Sequence, residues 1–342
     1  MQRFSGWCLW HGERLVTALA VETDGAATAV IPVTEPRDEI GRVVSGVAGA
    51  GRCGFSADLP VAAESRAMSF TACFSDGSAE PLFAIDLAAL RSRQLETDRM
   101  ARIVGALPVP DPDLVHLTQG LHDPQFYRAS ILPAALNTVA YLEASGFDPV
   151  RLHDVFDFGC GSGRLLAGWH ALAGERSLAG CDINSELIAW AKSNLPATLD
   201  LRVTSPQPPL PYLDGSFDLV FAVSVFTHLS LASQRRWVDE LRRIVRPGGA
   251  ALLTLHGATY VRHIFPEHPE MLKRLTRDGH VVTPVGAEGS NQFASLHTRG
   301  FVKSLFRGFE LLGFFPNGRL GGGRLAYPTF MLQDVYVLRR RA

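Results

Sequence analysis

The chain has 342 residues, of which 46% are hydrophobic and 20% charged, and its formal net charge is -1. Single hydrophobic cores stop growing near ~250–300 residues, so two domains are expected, each with ordinary globular composition. Near-balanced charge excludes a whole-chain field suited to nucleic acid or an anionic membrane.

Residues 1 to 88 read as a β-rich domain. Short apolar stretches (Leu15–Val21, Ala29–Ile31, Met68–Phe74) alternate with the turn signals His11-Gly12, Asp24-Gly25, Pro60 and Asp76-Gly77. Short strands joined by Asp-Gly turns suggest a sandwich-like antiparallel arrangement rather than βαβ units. From Asp86 the pattern becomes helical. Leu87 to Leu95 has apolar residues at helical spacing, and the proline-rich run Pro108-Val109-Pro110-Asp111-Pro112 follows. A second helix is expected over Ala134–Ala144, stopped by Gly146. Residues 89–149 are therefore read as a helical linker that also covers the following site, with Phe126 and Tyr127 as aromatic candidates.

Beyond Val150 strands and helices alternate. The expected strands are Val155–Phe158, Ser177–Asp182, Leu199–Thr204, Phe217–Ser224 and Ala250–Leu255, with Phe309–Phe315 and Leu332–Leu338 at the end of the chain. The expected helices are Arg164–Ala173, one capped by Asn184 or Ser185, and Gln234–Val245. This alternation predicts an α/β fold with a doubly wound, mainly parallel sheet over 150–342.

The chemistry concentrates in one loop. Between the first strand and the first helix stands Asp157-Phe158-Gly159-Cys160-Gly161-Ser162-Gly163. Glycines in such a turn bring backbone close to a ligand and aim amide N–H groups at it. The dinucleotide fingerprint G-x-G-x-x-G fails here, because Arg164 and Leu166 occupy the required glycine positions, and no Gly-Lys-Ser/Thr of a P-loop occurs. The spacing present is D-x-G-x-G-x-G.

That spacing resembles the cofactor loop of class I S-adenosylmethionine-dependent methyltransferases. The resemblance runs from about Pro108 to the C-terminus and is carried also by Asp182, by Asp214-Gly215-Ser216-Phe217-Asp218, and by the Arg246-Pro247-Gly248-Gly249 turn. It implies a seven-stranded sheet and S-adenosylmethionine as cofactor. By the same resemblance Asp157 would order the loop and orient the methionine end, with Gly159, Cys160, Gly161 and Gly163 giving close backbone approach. Asp182 would hold the ribose diol, since an ionised carboxylate is purely an acceptor. The adenine would take its contacts from backbone, Ser205 or Gln207, and Ile183 and Ser224 would also be cofactor-binding residues. Where relatives carry an acid after the third strand, this chain has Thr204–Pro209 and no carboxylate. The N-terminal domain shows a loose likeness to β-sandwich modules of bacterial glycan-biosynthesis enzymes, carried by Gly6-Trp7 and Gly54–Pro60.

His228 and His256, at the carboxyl edge where open α/β sheets bind ligands, are the candidate catalytic bases. Asn291, His297, Gln333 and Asp334 read as structural, and so does Asp218. The expected reaction is methyl transfer to a small-molecule or glycan acceptor, to oxygen rather than nitrogen. A non-catalytic cofactor scaffold and an NAD(P)-dependent oxidoreductase are the alternatives; an aminopropyl transferase lacks its carboxylate-rich site. The five scattered cysteines, with no C-x-x-C pair, suggest reduced thiols and no metal. With no leader pattern and no apolar run of roughly 18 residues, a cytoplasmic protein is expected.

Overall fold

The computed structural model describes residues 1–10, 14–43, 47, 49–172, 175–283, 286, 288–289, 293–320 and 332–342. His11, Gly12, Ala173 and Asn291 of the sequence reading lie outside the described residues. The chain divides into two compact units, Met1–Arg99 and Met100–Ala342.

The first unit is built from antiparallel strands: β1 (Gln2–Trp7), β2 (Val16–Thr23), β3 (Ala26–Pro32), β4 (Gly54–Leu59), β5 (Ala67–Phe74) and β6 (Ala79–Asp86), with a short helix α1 (Asp38–Val43). One sheet has the order β3-β2-β5-β6 and a second pairs β1 with β4. Asp24 and Gly25 both have positive φ, 51° and 80°, the geometry of a two-residue hairpin turn whose twist matches its strands. Asp24 Oδ1 also accepts the Arg66 and Ala67 amides at 2.9 Å, tying the turn to β5. Inward residues alternate along β5, so Met68, Phe70, Ala72 and Phe74 join Leu19, Val21, Ile31 and Leu59 in one core. The two sheets thus face one another, with Phe4 of β1 and Phe70 of β5 in ring contact at 5.9 Å.

Helix α2 (Leu87–Ala106) runs through the place where composition suggested a boundary, and the division into units falls inside it. Asp111 and Asp123 cap α3 (Pro112–Gln119) and α4 (Pro124–Ala144), each accepting two amides of the first turn. The sequence places the start of this last helix at Ala134. It begins ten residues earlier at Asp123-Pro124 and continues through Pro133, a residue that ordinarily ends helices.

The rest of the second unit comprises β7 (Asp154–Phe158), α5 (Arg164–Ala171), β8 (Ser177–Asp182), α6 (Ser185–Asn194), β9 (Asp200–Val203), β10 (Phe217–Val223), α7 (Leu231–Ile244), β11 (Val245–His256), α8 (Ala258–Ile264), α9 (Pro269–Asp278), β12 (His280–Thr283), β13 (Ala294–His297), α10 (Arg299–Leu305), β14 (Phe309–Phe315) and β15 (Gln333–Arg340). Seven strands form the expected sheet in the order β9-β8-β7-β10-β11-β15-β14; β15 alone runs antiparallel to its neighbours. Strand order reverses between β7 and β10, which puts a crevice at their carboxyl ends. A hairpin absent from the sequence reading, β12–β13, attaches to the carboxyl end of β11 through the single register pair His256–Leu296.

Period-two alternation distributes the core over both faces of the sheet. Val155, Phe221, Leu252 and Val337 pack with Leu166, Trp169, Ile131 and Tyr141 on one side. Phe156, Val220, Leu253 and Tyr336 pack with Trp237, Leu241 and Ile244 on the other. The Arg246–Gly249 segment is a correction to the sequence reading. It is no free turn but an irregularity inside β11, where pairing jumps from Phe217–Val245 to Leu219–Ala250. Asp218 anchors that point, accepting the His153 and Asp154 amides at 3.0 Å and pairing with Arg246, which also reaches Asp154 at 2.7 Å.

Candidate active site

The glycine-rich loop leaves β7 at the carboxyl edge. Gly159, Gly161 and Gly163 have φ of 78°, 55° and 80°, the left-handed region that side-chain-bearing residues avoid. Space is limiting as well: a Cβ on Gly159 would stand 2.4 Å from Val225 Cγ2. The loop is braced from below, where the Gly159 and Cys160 amides donate to the Cys181 carbonyl at 2.8 and 2.9 Å. Cys160 is buried, and burial raises its thiol pKa well above the ordinary value, so it is a packed thiol and no nucleophile.

Asp182, at the end of β8, takes the Gly161 amide on Oδ2 and the Asn184 amide on Oδ1, both at 2.9 Å. Each oxygen retains a second lone pair for a further donor. Asp157 is buried inside β7, and burial pushes its carboxyl up to about 7; Arg164 opposes that rise and Asp182 adds to it. Ile183 is exposed beyond Asp182. Ser205 is exposed, its hydroxyl accepting the Gln207 amide at 3.1 Å in a local turn.

Several brace residues escaped the sequence reading. Ser162 is fully buried and shares its hydroxyl with Tyr127 at 2.8 Å and Thr118 at 3.0 Å, from α4 and α3. Arg164 donates to Ser130 of α4 at 3.1 Å. Tyr127 therefore holds the glycine loop from behind, while Phe126 is exposed. The signal lay in three polar residues of the helical region, Thr118, Tyr127 and Ser130, but their partners are 34 to 44 positions away.

A second group stands at the ends of β10, β11 and β15. Ser224 has φ of 60°, a strained value for a residue with a side chain, and such strain clusters at functional sites. Its amide donates to Thr254 Oγ1 at 2.8 Å and its hydroxyl accepts Gln333 Nε2 at 3.0 Å; Thr254 in turn hydrogen-bonds Gln333 Oε1. His228 and His256 rings lie 6.4 Å apart, edge to face, and His256 stacks on Tyr260 at 3.5 Å. His228 Nδ1 is 2.9 Å from the Phe293 carbonyl. His256 is buried, its Nδ1 has no hydrogen-bond partner among the described residues, and burial, aided by His228, holds its pKa down to about 3. It is therefore a neutral imidazole at pH 7 and a weak proton acceptor. Asp334 is buried and accepts the Asn317 amide at 2.8 Å; His297 is buried behind the group.

Residues 156–253, which include the glycine loop, Asp182, Ser224 and His228, match the family model described as a methyltransferase domain. This stretch of the chain is thus a methyltransferase domain. The chain is 31% identical over 105 residues to the tRNA (carboxymethyluridine(34)-5-O)-methyltransferase of Arabidopsis thaliana, 30% of this chain and 24% of that protein. Over 51 residues it is 45% identical to a methyltransferase of Encephalitozoon cuniculi, 15% of this chain and 24% of that protein. The aligned stretches thus span about a quarter of the length of these curated relatives. Among solved structures, an S-adenosylmethionine-dependent methyltransferase of Methanosarcina mazei aligns at 20% identity with a TM-score of 0.42, covering 55% of this chain and 92% of that one. No described helix of the methyltransferase unit or of the first unit is long and apolar enough to cross a membrane.

Proposed function

We propose that this protein methylates an oxygen of a small-molecule or glycan acceptor. The observation that carries this reading is the juxtaposition of two half-sites on one sheet edge. The glycine loop with Asp182 forms the first, and Ser224, His228, His256, Tyr260 and Gln333 form the second. The loop's donor set fits S-adenosylmethionine. Its left-handed glycines leave no room for side chains, and Asp182 keeps acceptor capacity for a diol.

In this reading Asp182 binds the ribose hydroxyls, Ile183 and Ser205 border the adenine, and Gly159, Cys160, Gly161 and Gly163 contribute backbone. Asp157 orients the methionine end and Ser224 lines the junction of the half-sites. Bound S-adenosylmethionine supplies an activated methyl, its sulfonium becoming a neutral thioether. The residues' contribution is chiefly alignment and exclusion of water, effects of about 7–11 kcal/mol at their fullest. His256 serves as a neutral hydrogen-bonding partner, and His228 is the candidate to receive the proton of a hydroxyl acceptor. The loose likeness of the first unit to modules of glycan-biosynthesis enzymes favours a glycan among the small acceptors, and a cytoplasmic location goes with the free thiols.

A second reading follows from the Arabidopsis enzyme, whose acceptor is carboxymethyluridine in tRNA. A carboxylate acceptor is already ionised and needs no base, which suits the low basicity of His256. Incubation with methyl-labelled S-adenosylmethionine separates the two. Label in small-molecule or glycan fractions is the expected outcome; label confined to total tRNA overturns the first reading in favour of the second.

A further inference from the structure

The β12–β13 hairpin stands outside the seven-strand sheet, yet it is stitched to the turn that follows β10. His228 Nδ1 meets the Phe293 carbonyl, the Gly289 amide donates to the His228 carbonyl at 2.8 Å, and the Ser230 amide donates to Glu288 at 2.9 Å. Behind them lies a buried polar chain centred on Gln234 of α7. Gln234 has no exposed surface, an unusual state for this residue type unless it is fully used. Its Nε2 donates to the carbonyls of Phe226 and Leu229, both at 3.0 Å, and to Ser295 Oγ at 2.9 Å; its Oε1 stands 3.0 Å from His297 Nε2.

These partners fix the orientation of the Gln234 amide. Two backbone carbonyls can only accept, so the amide nitrogen must face them and the amide oxygen must face His297. His297 Nε2 therefore carries the proton. Its pKa is held well below the ordinary value by burial, with His280 and His256 contributing, so the ring is neutral. Ser295 Oγ is the third acceptor around an amide nitrogen that has two protons to share, and it lies 2.7 Å from His280 Nε2. One side chain of α7 thus joins both ends of the turn to the strand β13.

We propose that Gln234 is a positioning residue for the methyl acceptor, holding the turn Phe226–Leu229 against the β12–β13 hairpin so that the two form one wall of the acceptor site. This rests on the reading of the carboxyl edge as the place of methyl transfer. Gln234 does not touch the glycine loop; its work is confined to the acceptor side. Replacing it with an apolar residue removes the donor to the Leu229 carbonyl and the acceptor for His297 Nε2, while Ser295 keeps His280 and the Phe226 carbonyl keeps the Leu229 amide.

The test uses Gln234→Met, of similar length without polar atoms, and Gln234→Glu. Calorimetry with S-adenosylhomocysteine reads the cofactor side, and steady-state kinetics on the labelled acceptor fraction read the other. For Gln234→Met we expect S-adenosylhomocysteine affinity within about threefold of the unaltered protein, and an acceptor KM raised about tenfold or more with kcat changed far less. Gln234→Glu should acquire a pH dependence of acceptor KM, lower where its carboxyl is protonated and can donate to a carbonyl. Cofactor affinity falling in step with acceptor KM, or an unchanged acceptor KM, overturns the proposal. If the unaltered protein labels no acceptor, the methyl-transfer reading fails by itself. Hydrogen–deuterium exchange then decides the role of Gln234: faster exchange at 224–229 and 293–297 with 157–163 unchanged supports it, and uniform acceleration sinks it.

Discussion

The two half-sites proposed for the second unit, one for cofactor and one for acceptor, are built on opposite principles. The cofactor side is local: Asp157 through Gly163 is seven consecutive residues, and its only distant carboxylate, Asp182, ends the next strand. Its shape comes from backbone, from left-handed glycines and amides braced on the Cys181 carbonyl. The acceptor side is assembled from β10, α7, β11, β13 and β15, held by side chains whose partners lie up to 109 positions apart. Backbone geometry tolerates little change, whereas a side-chain network can be re-cut residue by residue. The comparison teaches that one face of the crevice is fixed by its chemistry and the other is adjustable.

The strongest attack on this contrast is Gly159→Ala. The left-handed φ costs an L-residue about 1–2 kcal/mol, and the close approach to Val225 adds an overpacking cost of about 1–3 kcal/mol. Affinity for S-adenosylhomocysteine, measured by calorimetry, should fall ~30-fold or more. Retained affinity would show that the loop is not governed by its backbone. Next in size is Asp182→Ala, which frees the Gly161 amide and, on the proposed function, removes charge-assisted hydrogen bonds to a diol. A loss of about 1.5–3 kcal/mol, roughly tenfold or more in affinity, should appear in the same titration. An unchanged dissociation constant would take Asp182 out of the site.

A third measurement sets the halves against each other through pH. Asp157 has its carboxyl raised from 3.8 to about 7, so between those values the folded chain holds a proton that the unfolded chain has released. Its contribution to stability therefore falls as pH rises through that window. His256 is the reverse: with its pKa lowered from 6.5 to about 3, stability falls as pH drops from 6.5 toward 3, because only the unfolded chain takes up the proton. Melting temperatures across pH 4–7 should lose their downward component in Asp157→Asn and their upward component in His256→Gln. Identical pH profiles in all three proteins would deny both groups their buried, unpaired environments.

How much of this could be read from the sequence follows the same division. The strands β7, β8, β10, β14 and β15, the glycine loop and the place of Asp182 were legible because each signal fits within a dozen neighbouring residues. The acceptor side was legible only as locations, Ser224, His228 and His256 at strand ends. Its wiring through Gln234, Ser295 and His297 depends on the packing of α7 against a hairpin of four-residue strands, too short to show a period. Helix α4 was half missed because Pro133 reads as a stop and because its true start is a cap, Asp123, followed by Pro124. The β11 irregularity was mistaken for a turn since Pro-Gly-Gly carries the same local signal in either setting.

The contact between Gly159 and Val225 also bears on how such a protein changes over generations. Residue 225 lies in the very turn where altered acceptor preference would be sought, yet its methyl group fills the space that the loop glycine leaves vacant. Enlarging it presses on the loop, and trimming it opens a void beside the loop. Substitutions at 225 are therefore expected to couple to the loop rather than act alone. On the proposed function, acceptor preference is more readily altered toward the rim of the crevice, where a substitution would disturb only one of two bound molecules.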